Sequence, residues 1–136
     1  MDRREAALLN KTLERVELAA DKQAIRFTVD GEPIVAKCDG DCCSYTWIEH
    51  IDMPAGGLPA KILEVVDLRL PQPSDELALY GLKLVTDKGE LVLDYRNESN
   101  GYYGGGLVWP GGYFYGGVYG QNISKEEWAE VPLMAT

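Results

Sequence analysis

An α+β domain, built on an antiparallel sheet of five or six strands with short helices, is what this sequence predicts. Three observations lead there. Alternating apolar segments flank two well-marked turns, Asp30-Gly31 and Asp87-Lys88-Gly89, as hairpins require. Helical spacing appears at both ends of the chain and again after the Cys42-Cys43 pair. An apolar content of 46% in 136 residues suffices for one core, so residues 1–136 read as a single domain.

Taken in order, residues 2–13 read as an N-terminal helix with Ala6, Leu9 and Leu13 at helical spacing and Asp2 as its N-cap. Val16–Ala20 is a short first strand. From Gln23 to Val29 the chain alternates, with Ile25, Phe27 and Val29 on one side and Arg26 and Thr28 on the other. Pro33–Cys38 returns as its partner. Ser44 then opens a segment in which Trp47, Ile48 and Ile51 share a helical face, so a short capped helix is predicted. Ile62–Leu70 is a strand. Leu77–Thr86 and Leu91–Arg96 form the second hairpin, with Leu82, Leu84 and Thr86 on one face. The remainder, 110–136, reads as a Gly/Tyr-rich extension closed by a terminal helix. That helix starts at Ser124, with Glu127 at the capping-box position and Trp128 on its apolar side.

Charge narrows the function. Thirteen Lys and Arg stand against 22 Asp and Glu, a formal net charge of −9. Such a chain is repelled at long range by nucleic acid and anionic lipid, so no nucleic-acid partner is expected. No stretch approaches the roughly 18 apolar residues of a membrane span, and the start, Met1-Asp2-Arg3-Arg4-Glu5, has no hydrophobic signal region. A cytosolic protein with reduced thiols is expected.

Catalytic and metal chemistry find little support, so neither an enzyme nor a cofactor is expected. Cys38, Cys42, Cys43 and His50 form a C-x3-C-C-x6-H pattern, which lacks the paired knuckles of structural zinc. Counting from Asp39, the twelfth position of a calcium loop falls on His50 where a bidentate Glu is needed. Cys43 and His50 lie seven residues apart, far for a nucleophile and its base on one helix. No phosphate-cradling glycine motif is present.

The stretch from Arg96 to Tyr103, RNESNGYY, is richer. It gathers one cation, two asparagines and two rings beside backbone able to take positive φ. One reading is a tight hairpin loop whose tyrosines cap a sheet edge. The other is a ligand loop. In that reading Arg96 is a fork for phosphate or carboxylate, Asn97 and Asn100 are polar partners, and Tyr102, Tyr103 and Trp109 are stacking surfaces. Arg26 adds local positive charge.

Three motifs add a resemblance. DGDCCS at 39–44 with WIEHI at 47–51, TDKG at 86–89, and DYRNESNGYYGG at 94–105 resemble a family of small bacteriophage proteins defined by a domain of unknown function. The resemblance covers residues 8–109 and implies a phage or prophage origin. More loosely, the size and the aromatic-amide loop resemble phage anti-Thoeris sponge proteins. That likeness implies a non-enzymatic homo-oligomer in the host cytoplasm that sequesters a nucleotide-derived immune signal, of cyclic ADP-ribose or cyclic oligonucleotide type. The alternative is an acidic protein–protein inhibitor, or DNA mimic, that blocks a host defence or transcription complex through its Tyr-rich segment.

Overall fold

The computed structural model describes residues 2–40, 44–99, 105–111, 113–114, 117–118 and 127–132. One helix, α1 (Arg3–Leu8), precedes the strands β1 (Thr12–Ala19), β2 (Ala24–Val29), β3 (Glu32–Gly40), β4 (Ser44–Asp52), β5 (Ala60–Arg69), β6 (Leu77–Thr86) and β7 (Gly89–Ser99). Shorter strands follow: β8 (Gly105–Val108), β9 (Tyr113–Phe114), β10 (Gly117–Val118) and β11 (Trp128–Glu130). Nine of the strands make one antiparallel sheet in the order β4-β7-β6-β5-β1-β2-β3-β8, with β11 added beside β1; β9 and β10 pair separately.

This is a nearly all-β protein, so the predicted α+β class with five or six strands is corrected. Residues 44–51, predicted as a helix, are strand β4, paired with β7 from Ser44↔Ser99 to Asp52↔Val92. YTWIEHI carries both periods. As a strand it buries Thr46 and Ile48 while Tyr45 and Glu49 face out, and the long ladder to β7 prevails over the helical spacing. Trp128, predicted on a terminal helix, belongs to β11 and lies opposite Ala19 of β1. The predicted start of that helix at Ser124 lies outside the described residues. At the other end, α1 stops at Leu8 because Asn10 takes φ 65° and turns the chain, placing Leu13 in β1. Asp2 caps it, accepting from the Glu5 N–H at 2.9 Å.

Both hairpins form where the turns indicated. Asp30 (φ 48°) and Gly31 (φ 80°) both have positive φ, the geometry that suits right-twisted strands. Asp30 is held reciprocally with Thr12: its N–H donates to the Thr12 carbonyl and its Oδ1 accepts from the Thr12 N–H.

The sheet folds over on itself. β4, one end of the strand order, runs across the β1–β2 turn. The Ile48 N–H donates to the Lys22 carbonyl at 2.8 Å and the Thr46 hydroxyl to the Asp39 carbonyl of β3 at 3.0 Å. One interior therefore collects residues from every large strand, among them Leu13, Phe27, Ile48, Ile62, Leu82 and Leu93, with Leu8 of α1. Burying side chains of this size contributes about 1.5–3 kcal/mol each. Against the core Trp109 stacks on Phe27 at 5.9 Å.

β1 is the seam. Its first residues pair with β5 (Thr12↔Lys61, Leu13↔Ala60), its last with β11 (Glu17↔Glu130 to Ala19↔Trp128), and β2 runs along the other edge. Beyond Ile62 the β5 edge diverges from β1, and α1 reaches over it through an Arg4–Asp67 ion pair. A helix laid there shields backbone groups that would otherwise template aggregation.

Gly81 of β6 exposes a tight spot. A Cβ on it would meet the Leu68 Cβ of β5 at 2.9 Å. We expect Gly81→Ala to destabilise the protein by about 1–3 kcal/mol, and Leu68→Gly, which removes that Cβ, to recover part of that loss when added to it. Urea titrations of the two single variants and the double variant check this; additive losses would contradict the close contact.

Candidate functional site

The residues predicted to form one ligand surface are dispersed. Arg96 and Asn97 are neighbours on β7 and so point to opposite faces. Asn97 is 1% exposed, its Oδ1 2.8 Å from the Thr46 hydroxyl inside the fold. Trp109 is buried against Phe27. Arg26 lies on the outside of the β1–β2 pair. There it forks onto Glu17 with two bonds of 2.8 Å and sits 4.6 Å over the ring of Trp128. Asn100, Tyr102 and Tyr103 lie outside the described residues. Only Arg96 among the described candidates thus faces outward beside β4.

Arg96 has company that sequence reasoning missed. Its cross-strand partner is Trp47, and Tyr45 pairs with Glu98 one step on. Tyr45 and Trp47 alternate onto the outer face and stack at 5.7 Å with 26° between rings. Tyr45 is 52% exposed, one of two large hydrophobic side chains so open among the described residues. Single exposed rings are common, but an exposed ring stacked on a half-buried one presents area at little entropic cost. With Asp21, Lys22 and Glu98 the pair lines a shallow hollow of about 250 Å³. The signal lay in the alternation Tyr45, Trp47, Glu49 against Thr46 and Ile48, which the helical reading masked.

The electrostatics of this face are acidic. Glu49 accepts from the Trp47 indole N–H at 2.7 Å and fixes that ring. Arg96 is held by Asp94 at 3.1 and 3.4 Å, a bond that raises the guanidinium's pKa and occupies its fork. Two cations, Lys22 and Arg96, therefore stand among four carboxylates, Asp21, Glu49, Asp94 and Glu98.

Cys38 is partly buried against the core, and desolvation pushes its thiol pKa up to about 12. A thiol of that kind is a poor nucleophile. Its motif neighbours Cys42 and Cys43 lie outside the described residues. His50 contacts Asp52 at 2.8 Å on the surface. Among the described residues no three His, Cys, Asp or Glu side chains are grouped to hold a metal ion, and no helix is long and apolar enough to cross a membrane.

A family model described as a domain of unknown function, DUF7448, matches residues 6–109. The match takes in the strands from β1 to β8 and stops before the segment that carries β11. No curated protein and no solved structure matches the chain.

The Glu17–Arg26–Trp128 cluster ties that last segment to the matched part. The Arg26 hydrogen bonds hold the Glu17 carboxyl below its ordinary 4.5. A depressed carboxylate stabilises the fold above its unfolded pKa, and that stability is lost as pH falls through the folded one. We expect Glu17→Gln to cost about 2 kcal/mol near neutral pH and to flatten the acid limb below about pH 4.5. Denaturant titrations along a pH series read both, and an unchanged acid limb would contradict the assignment.

Proposed function

The chain belongs to the DUF7448 family, whose domain is of unknown function, and we propose that it is a phage-encoded, non-enzymatic binding protein that counters host defence by covering a basic surface of a host protein. It works in the host cytoplasm. The observation that carries this reading is the exposed Tyr45 ring stacked on a half-buried Trp47 among four carboxylates.

Depth and charge both favour a protein partner. A hollow of about 250 Å³ falls below the range of roughly 300–1,000 Å³ that encloses small ligands. An arginine or lysine from a partner can lie over the Trp47 ring as a cation–π contact and meet Glu98 or Asp21 at the rim. Aromatic rings at the centre of an acidic patch are also the composition of an interface hot spot. Long-range attraction from a −9 chain speeds the encounter with a basic partner.

A second reading keeps the nucleotide-derived signal. Here a base stacks on Tyr45 and Trp47, Lys22 meets a phosphate, and copies of the chain share the ligand as a homo-oligomer. The stacked rings beside Lys22 favour it. The surrounding carboxylates weigh against an anionic ligand.

Affinity capture from host lysate separates the two. We expect one stoichiometric host protein to be retained, to dissociate with rising salt, and to be lost by about thirtyfold or more with Trp47→Ala and with Glu98→Lys. Retention of that partner by Trp47→Ala would refute the assigned surface. An ultraviolet-absorbing small molecule released on denaturation, with no protein partner, would replace the first reading by the second.

A further inference from the structure

We infer that the cavity of about 440 Å³ beside the ends of β5, β6 and β7 is a binding site for a small, uncharged, planar heteroaromatic molecule of nucleobase or nucleoside size, stacked on Tyr80. The site is separate from the Tyr45–Trp47 face, because Tyr95 of this cavity and Arg96 of that face alternate to opposite sides of β7.

The cavity has the size of a ligand site, and its lining divides about evenly between apolar and polar surface. Tyr80 and Tyr95 pair across β6 and β7 and stack at 5.1 Å, with 17° between rings. Tyr95 packs against the hydrophobic core, and Tyr80 stands beside it on the β5 side of the stack. A third ring laid on Tyr80 extends an arrangement that is already built, at little cost in ordering. Leu70 and Leu79 supply the apolar rim.

The polar groups select for a neutral guest. Asp67 lines the cavity, but its charge is met by the Arg4 guanidinium of α1. Burial pushes the Tyr95 phenol up to about 12, so it keeps its proton and acts as a hydrogen-bond donor at neutral pH. Gln72 offers both donor and acceptor. Phenol and amide together match the ring nitrogens and exocyclic groups of a heteroaromatic edge.

Adenosine is the probe. Titrated into the full-length protein and followed by amide chemical shifts, it should bind saturably, with the shifts gathered at residues 67–72, 79–81 and 95. Tyr80→Ala should weaken binding by about tenfold or more, Tyr80→Phe should retain the stack, and Trp47→Ala should leave the affinity unchanged. Absence of saturation, shifts gathered elsewhere, or full affinity in Tyr80→Ala would overturn the assignment. Shift mapping on the unsubstituted protein decides the matter even if Tyr80→Ala fails to fold. Host-protein capture through Trp47 is independent of each of these outcomes.

Discussion

The fold depends on how β1 distributes its backbone hydrogen bonds. Every buried N–H and C=O must find a partner, and a strand has only two edges to offer. β1 gives one edge to β2 and divides the other between β5 at its start and β11 at its end. Because β5 leaves after Ile62, the sheet is free to bend there and carry β6, β7 and β4 back over the β1–β2 turn. The bend lets one interior serve all the large strands. Without β11, the backbone of Val16 and Ala20 would lose the partners it now finds at Val131 and Glu127.

The same division explains the ionic cluster outside β1. Glu17 is turned away from the core, yet it is almost fully covered. A carboxylate so placed must be paired to remain charged. Arg26 supplies the fork from β2, and Trp128 covers the guanidinium from β11. Arg26 is thereby a structural cation. Its charge is met within the protein by the Glu17 carboxylate.

Legibility in the sequence followed the strength of local signals. Asp30-Gly31 and Asp87-Lys88-Gly89 named their hairpins because positive-φ turns and period-two flanks agree. Residues 44–51 misled because Trp47, Ile48 and Ile51 fit a helical face as well as a strand. The ladder to β7 that decides the matter joins residues some fifty positions apart and leaves no local mark. The helical reading in turn concealed the stacked pair, since a strand alone sends Tyr45 and Trp47 to one side. Of the ligand surface predicted around Arg96, the residue types could be read from the sequence, but the face each described residue takes could not. Asn97 is interior because Thr46 stands opposite it, and no composition argument could supply that partner.

Two stacked aromatic pairs remain, one on each side of β7, and their surroundings separate their roles. Tyr45 and Trp47 lie on the outer face among carboxylates, where a large cationic surface gains most and a small anion gains least. Tyr80 and Tyr95 border a deeper space in which the one lining carboxylate among the described residues is neutralised by Arg4. Low charge and depth suit a small neutral ring there. β7 carries a member or a direct neighbour of both pairs, Tyr95 on one face and the Trp47 partner Arg96 on the other. The alternation along β7 therefore keeps the two occupants apart, one on each face of the same strand.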